Sequence, residues 1–348
     1  MTIIDAHTHV LAQYADLAVA IMDRCGIECV VTAEWHDGFG ETLEEHLAIF
    51  DRHPGRFIVF GNVDFSRINE SGFAQAAAKQ MERDVASGMR GLKVYKALGL
   101  EYRDANGDLW RVNDERLDPI WDMAGRLGIP VLLHTADPPP FWQPVNEDNF
   151  WNAVLRGEYA WWSYYRKGLP SRDELLAERN EVIKRHPDTV FICPHVGSNA
   201  YNLDAAADDL DAMPNLYYDL SARIPILGLP GRRGDHAREF LLACQDRMLF
   251  GTDSIYDDAN VPTGVQAQCL RQPGETPPLA NTDPRERYLE TTASFVASHL
   301  DFLTSDRVQV NPPFTRTTRG YSIAGLSLPP EVCEKILHQN ARRLLGIR

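Results

Sequence analysis

The chain has 348 residues, of which 44% are hydrophobic and 24% charged, and its formal net charge is -14. This is the composition of a globular protein with room for one large α/β domain, and its negative charge argues against nucleic acid as a partner because phosphate is repelled. No apolar run is long enough for a membrane, the N-terminus carries no basic or cleavable segment, and the six cysteines lack Cys-x-x-Cys spacing. The expected setting is the cytoplasm, with reduced thiols.

The stretch Ile3-Ile4-Asp5-Ala6-His7-Thr8-His9 reads as a first strand. From Tyr14 to Asp23 apolar residues recur at helical spacing, and Cys25-Gly26 closes that run. Ile27 to Ala33 is rich in β-branched residues and reads as the second strand. Thr42 to His53 predicts a helix, with Thr42 as N-cap and Glu45 completing a capping box. Arg56 to Val63 is the third strand, Ser71 to Ala86 an Ala-rich helix stopped at Gly88, and Gly91 to Lys96 the fourth strand. A helix over Asp114 to Leu127 ends at Gly128, and Pro130 to Thr135 is the fifth strand.

Ala136 to Pro170 breaks the rhythm. Beyond it, helices over Arg172 to Arg185, Asn202 to Ala212 and Asp235 to Cys244 alternate with strands. Those strands are Thr189 to Val196, Asn215 to Leu220 and Arg247 to Asp253. Helices near Arg285 to Leu303 and Pro330 to Leu345 end the chain.

Eight strand–helix units predict a parallel sheet closed into a (β/α)8 TIM barrel, with a long insertion after strand 5 and an extra C-terminal helix. The alternative is a doubly wound open sheet. The barrel is preferred because polar residues that suit a metal stand at the ends of strands one, five, six and eight. A barrel gathers those ends around one mouth, whereas an open sheet scatters them. With no internal repeat and no linker, residues 1–348 are expected to form a single domain.

Side chains alternate along a strand, so His7 and His9 share a face. A His-x-His pair alone is a weak signal. It gains weight because His134, His195 and Asp253 also end strands. By parity, His134 shares a face with Leu132, His195 with Cys193 and Phe191, and Asp253 with Gly251 and Leu249. Pro194 lacks a ladder donor and is tolerable only at a strand end, which fits this placement. Nitrogen and oxygen ligands without thiolate suit Zn, with Fe, Mn or Co as alternatives. Such an ion acts as a Lewis acid and lowers the pKa of its water toward ~7.

The set His7-Thr8-His9, His134, His195 and Asp253 resembles the amidohydrolase superfamily. Within it the chain is similar to the amidohydrolase-related group that includes aminocarboxymuconate semialdehyde decarboxylase and γ-resorcylate decarboxylase. The likeness runs nearly end to end. It covers Gly91-Leu92-Lys93-Val94-Tyr95-Lys96, Leu133-His134-Thr135-Ala136-Asp137-Pro138, Phe250-Gly251-Thr252-Asp253, Leu328-Pro329 and Asn340-Ala341. The resemblance implies that His7, His9, His134 and Asp253 bind one divalent metal ion. It also implies that His195 activates or positions the water. In the binuclear relatives, the residue matching His195 binds a second metal, and a carboxylated lysine on strand four bridges the pair.

Lys93 is flanked by apolar Leu92 and Val94, so Lys93 and Tyr95 are expected to point into the barrel and Lys96 away from it. An inward lysine needs an anion or a metal nearby. Its partner is a salt bridge to Asp64 or Asp219, a substrate carboxylate, or a second metal through a carbamate. Arg223 follows the seventh strand. It reads either as a guanidinium forked onto a substrate carboxylate or as a surface or interface arginine. The insertion carries Phe141, Trp142, Phe150, Trp151, Tyr159, Trp161, Trp162, Tyr164 and Tyr165. Such a loop is expected to overhang the mouth, with Trp142 near the substrate and most other aromatics in packing or a homodimer contact.

The leading function is hydrolysis of a C–N or C–O bond in a small organic substrate, with metal-activated water. His195 is assigned to proton transfer, at an ordinary imidazole pKa near ~6.5, and Asp253 both binds metal and accepts a proton. The alternatives are a metal-dependent, non-oxidative decarboxylase of a small carboxylic acid and a catalytically silent metal-binding protein.

Overall fold

Strands β1 (Ile3–Val10), β2 (Ile27–Ala33), β3 (Phe57–Asn62), β4 (Gly91–Val94) and β5 (Val131–Leu133) follow one another in the chain and pair side by side, all parallel. They continue through β6 (Phe191–Cys193), β7 (Leu216–Asp219) and β8 (Met248–Leu249), again parallel. A further short strand, β9 (Ser254–Tyr256), pairs with β1. The structure is a computed structural model and describes residues 2–33, 43–157, 160–229, 234–266, 269, 281–314 and 321–347. The expected cap Thr42 and the aromatic Tyr159 lie outside the described residues.

The sheet order is β8-β7-β6-β5-β4-β3-β2-β1-β9, and its two ends belong to one chain segment. Only residues 250–253 separate β8 from β9. Across that gap Ala6 N donates to Phe250 O at 2.8 Å, and Asp253 N donates to His7 O at 2.8 Å. The eighth strand is thus broken in two, one half bonded to β7 and the other to β1, and it closes the (β/α)8 barrel.

Two apolar layers hold this arrangement. Inside the barrel lie Ile4, Ala6, Val31, Phe60, Leu132, Ile192 and Leu249, and Ala341 and Leu345 of the last helix pack against them. Outside, Leu92, Val94, Val131, Leu133, Phe191 and Cys193 pack against helical residues such as Met81, Trp121, Val182 and Ile183. Burying one such side chain fully stabilises the fold by about 1.5–3 kcal/mol.

The connecting helices match the expected ones to within a few residues, because their ends are written locally. Gly26 and Gly128 adopt left-handed backbone (φ 70° and 67°) and stop the helices Ala15–Cys25 and Asp118–Leu127. Ser171 and Glu174 form a capping box at the start of Arg172–Arg185. The helix predicted over Thr42 to His53 runs Leu43–Phe50 among the described residues.

Strands β3 to β8 are shorter than predicted, since the residues beyond them turn off to build the mouth, whereas β1 and β2 run at least as far as expected. The last helix also differs. It is interrupted by a π turn over Lys335–Gln339, where Ile336 O accepts from Phe250 N at 2.9 Å. That bond satisfies a donor in the broken eighth strand. An unexpected antiparallel ribbon pairs β10 (Val308–Val310) with β11 (Ser322–Ala324).

Candidate metal centre

A β-bulge aims the two histidines of β1. Asp5 pairs with Val30 and Thr8 with Thr32, so three steps along β1 match two along β2. An extra residue reverses the side-chain parity. Ahead of it Ile4 and Ala6 face the apolar interior. Beyond it His7 and His9 meet Asp253 instead. Asp5 anchors the bulge. Its Oδ1 accepts from His7 N at 3.2 Å and Thr252 N at 3.0 Å, and its Oδ2 accepts from Thr252 Oγ1 at 2.7 Å. Burial pushes the Asp5 carboxyl up to about 7, against those hydrogen bonds.

The donor atoms converge. His9 Nε2 lies 3.1 Å and His7 Nε2 3.6 Å from Asp253 Oδ1. The other ring nitrogens are tied back, His7 Nδ1 to Asp219 Oδ2 at 2.9 Å and His9 Nδ1 to Ala33 O. Proton donation through Nδ1 leaves each Nε2 with its lone pair, the arrangement that orients a metal-binding imidazole. Burial lowers His9 to about 4 and His134 well below its ordinary value, so both are neutral at neutral pH. Burial opposes ionisation of Asp253, but the imidazoles of His9, His7 and His195 around it hold its carboxyl well below the usual carboxylate range.

His7, His9 and Asp253 offer ligand atoms within 4.8 Å of one another. His134 is outside that trio. Its Nε2 is buried and has no hydrogen-bond partner, and its ring packs 4.7 Å from that of His195. An orphaned imidazole nitrogen beside two tied-back histidines and an ionised carboxylate fits a divalent cation.

A second close group, His7, His195 and Asp219, is a hydrogen-bond network. Asp219 Oδ1 accepts from His195 N at 2.9 Å, Ser221 N at 3.0 Å and Ser221 Oγ at 2.5 Å, and Oδ2 takes His7 Nδ1. Burial disfavours the charged form, yet His7 holds Asp219 well below the usual carboxylate range. Strand parity offers Asp219 only as a partner for Lys93 and gives Ser221 no role. The available signal was Asp219-Leu220-Ser221 at the end of a strand.

His195 arrives by a route that parity does not describe. Phe191 and Cys193, its supposed face-mates, lie in the outer layer, while Ile192 faces inward. The strand stops at Cys193, and His195, Val196, Gly197 and Ser198 then take φ of 64°, 56°, 57° and 60°. This left-handed turn swings the imidazole to the mouth, 5.4 Å from the His7 ring. Left-handed backbone costs about 1–2 kcal/mol per L residue, and a β-branched residue such as Val196 rarely adopts it. Glycine is needed at 197, where a Cβ would come within 2.3 Å of Tyr218. His195 Nδ1 donates to Ser221 O at 2.9 Å. The expected pKa near ~6.5 is corrected: burial, with the charge of Arg223, lowers it to about 3.

Lys93 points inward as expected, with Nζ 3.4 Å from His7 Nε2. Burial lowers it to about 8, with Asp253 and Asp219 opposing. Asp64 is not its partner, since that carboxylate accepts from Ser66 N and Oγ. Lys96 does not face away. It lies past the end of β4, buried, with Nζ 2.5 Å from Asp137 Oδ2 and 4.2 Å above the Trp162 ring. Arg223 is buried; it donates to Ala222 O, lies 5.9 Å from Trp151 and forms no ion pair among the described residues. Trp142 donates to Pro170 O at 3.0 Å and packs 4.6 Å from Tyr164. The insertion reaches residues that follow other strands: Tyr164 OH and Lys96 share Asp137, and Trp151 Nε1 donates to Tyr201 OH at 2.9 Å.

No helix among the described residues is long and apolar enough to cross a membrane. Comparison with known proteins extends the picture. No curated protein matches the chain. In fold it is similar to a Staphylococcus aureus protein assigned provisionally as an amidohydrolase, with 16% identity, 100% of both chains covered and a TM-score of 0.54. It is also similar to 2,6-dihydroxybenzoate decarboxylase from Rhizobium, with 15% identity, 99% of this chain and 98% of that one covered, and a TM-score of 0.52. The sequence pattern of the amidohydrolase family matches residues 4–347, and the chain therefore belongs to that family, whose members bind a divalent metal.

Proposed function

We propose that the protein is a hydrolase that cleaves a C–N or C–O bond of a small organic substrate with water, using one divalent ion, zinc by preference. The observation that carries this reading is the convergence of His7 Nε2, His9 Nε2 and Asp253 Oδ1, together with the orphaned Nε2 of His134, whose ring lies 4.7 Å from that of His195. These four residues would hold the ion. When bound, it supplies Lewis acidity and lowers the pKa of a water toward ~7. His195 donates through Nδ1 to Ser221 O, so its Nε2 lone pair accepts a hydrogen bond from the attacking water. With its pKa lowered to about 3, it takes that proton only as charge develops in the transition state and returns it to the leaving nitrogen or oxygen. Asp253, ionised and beside His9, is a second proton acceptor. Asp219 and Ser221 keep His7 and His195 in the required tautomers. Trp142 contributes to the wall of the substrate site.

A decarboxylase is the second reading. It is favoured by Lys93 and Arg223, two buried cations with no carboxylate ion pair among the described residues. Either can take a substrate carboxylate. The zinc-loaded protein should be tested on a panel of esters, lactones, amides and carboxylic acids in ¹⁸O-labelled water. Label in the organic product supports hydrolysis, and release of carbon dioxide with no label in the organic product supports decarboxylation. His195→Ala should retain its metal and lose about 10²–10⁴ in turnover. Two metals in the parent and one in this variant would make His195 a ligand and refute the assignment.

A further inference from the structure

His195 reaches the mouth only because the chain reverses its handedness, and the reversal has a specific brace. Arg179, on the helix Arg172–Arg185, is fully buried. Its Nη1 donates to Gly197 O, in the middle of the left-handed turn, at 2.6 Å. The guanidinium is itself pinned. Nη2 donates to Asp209 Oδ2 at 3.1 Å, and Nε and Nη2 both donate to Asn180 Oδ1. Asp209 in turn accepts from Asn180 Nδ2 at 2.8 Å and Asn199 Nδ2 at 3.2 Å, the latter one residue past the turn. Arg172 Nη2 holds Ser198 O at 2.6 Å, and Ser198 Oγ donates to Thr135 O at 3.0 Å. Arg179 does not touch the metal-binding trio. Among the described residues it reaches the site through the turn and through Tyr218, the neighbour of Asp219 on β7.

We propose that Arg179 is a positioning residue for His195: by holding Gly197 O, with Asp209 as its anchor, it keeps the left-handed turn that points the imidazole into the mouth. A relaxed, right-handed or extended backbone at 195–198 would return His195 toward the outer face that Phe191 and Cys193 occupy. The Nδ1–Ser221 O bond, and with it the single tautomer, would be lost. This deepens the reading of His195 as a proton acceptor and rests on it.

The test is ¹⁵N NMR of the zinc-loaded protein labelled at histidine, with His195→Gln to assign the signal. The parent should show His195 protonated at Nδ1 alone. In Arg179→Met, at a temperature where circular dichroism shows a folded chain, bound zinc should match the parent. The His195 signal should broaden or move to the average of two tautomers, and that of His299 should stay in place. Arg179→Lys keeps one donor for Gly197 O and should restore the parent signal in part. If Arg179→Met does not fold, Asp209→Asn replaces it and should produce the same change. An unmoved His195 signal in a folded variant overturns the proposal and leaves Arg179 a packing residue. If the parent instead carries the His195 proton on Nε2, the proton-acceptor role fails. A shift on Arg179→Met would still uphold Arg179 as the brace.

Discussion

Asp219→Asn is the smallest change that tests how the centre is organised. Asp219 Oδ1 is surrounded by donors: His195 N, Ser221 N and Ser221 Oγ, at 2.9, 3.0 and 2.5 Å. An asparagine must leave its oxygen there, because its NH2 group cannot face three hydrogens. The amide nitrogen then replaces Oδ2, 2.9 Å from His7 Nδ1. Two donors would meet unless the His7 proton moves to Nε2, the atom that faces Asp253 and His9. His7 would lose its lone pair for the metal while side-chain volume stayed constant. Removing the carboxylate that orients a metal-bound histidine costs about 10–100-fold in affinity. That is about 1.4–2.7 kcal/mol. The assay is zinc competition against a chromophoric chelator at neutral pH, with circular dichroism to confirm the fold. Zinc affinity within about twofold of the parent would show that His7 does not depend on Asp219 and would refute this account of the centre.

Replacing His7 and His9 together by Ala should strip the metal and abolish turnover, and full metal content in that variant would discard the assignment. His299 should make the fold acid-sensitive. It is fully buried among Phe250, Phe295 and Phe314, and burial lowers it to about 4. The unfolded chain binds its proton near ~6.5 and the folded one does not, so stability is complete above ~6.5 and falls as the pH drops to about 4, by about 3 kcal/mol. In urea titrations at both pH values, His299→Leu should lose about 3 kcal/mol less than the parent, and equal losses would remove His299 as the cause. Lys96→Met leaves Asp137 buried with Tyr164 as its hydrogen-bond donor among the described residues, and should cost about 3–5 kcal/mol. A change under about 1 kcal/mol would mean that the pair is hydrated and holds little.

Much of the molecule is written in local patterns. Alternating strands and helices, helix stops at Gly26, Gly88 and Gly128, and polar residues at strand ends need only nearby residues to be read. From them come the barrel, the insertion, and the placement of His7, His9 and Asp253 at one mouth. The features that aim the side chains depend on partners far away in the chain. The bulge in β1 is held by Asp5 against Thr252, 247 residues on. The turn carrying His195 is held by Arg179, and the broken eighth strand is closed by Ile336 and Ala6. Lys96 changes face because β4 ends two residues before it. Strand parity assumes unbroken extended backbone. A bulge or a left-handed residue reverses parity at a cost in local energy, which long-range contacts must offset. Those contacts exist only once the barrel has closed, so periodicity assigned the donors to strand ends and the tertiary structure decided where they point.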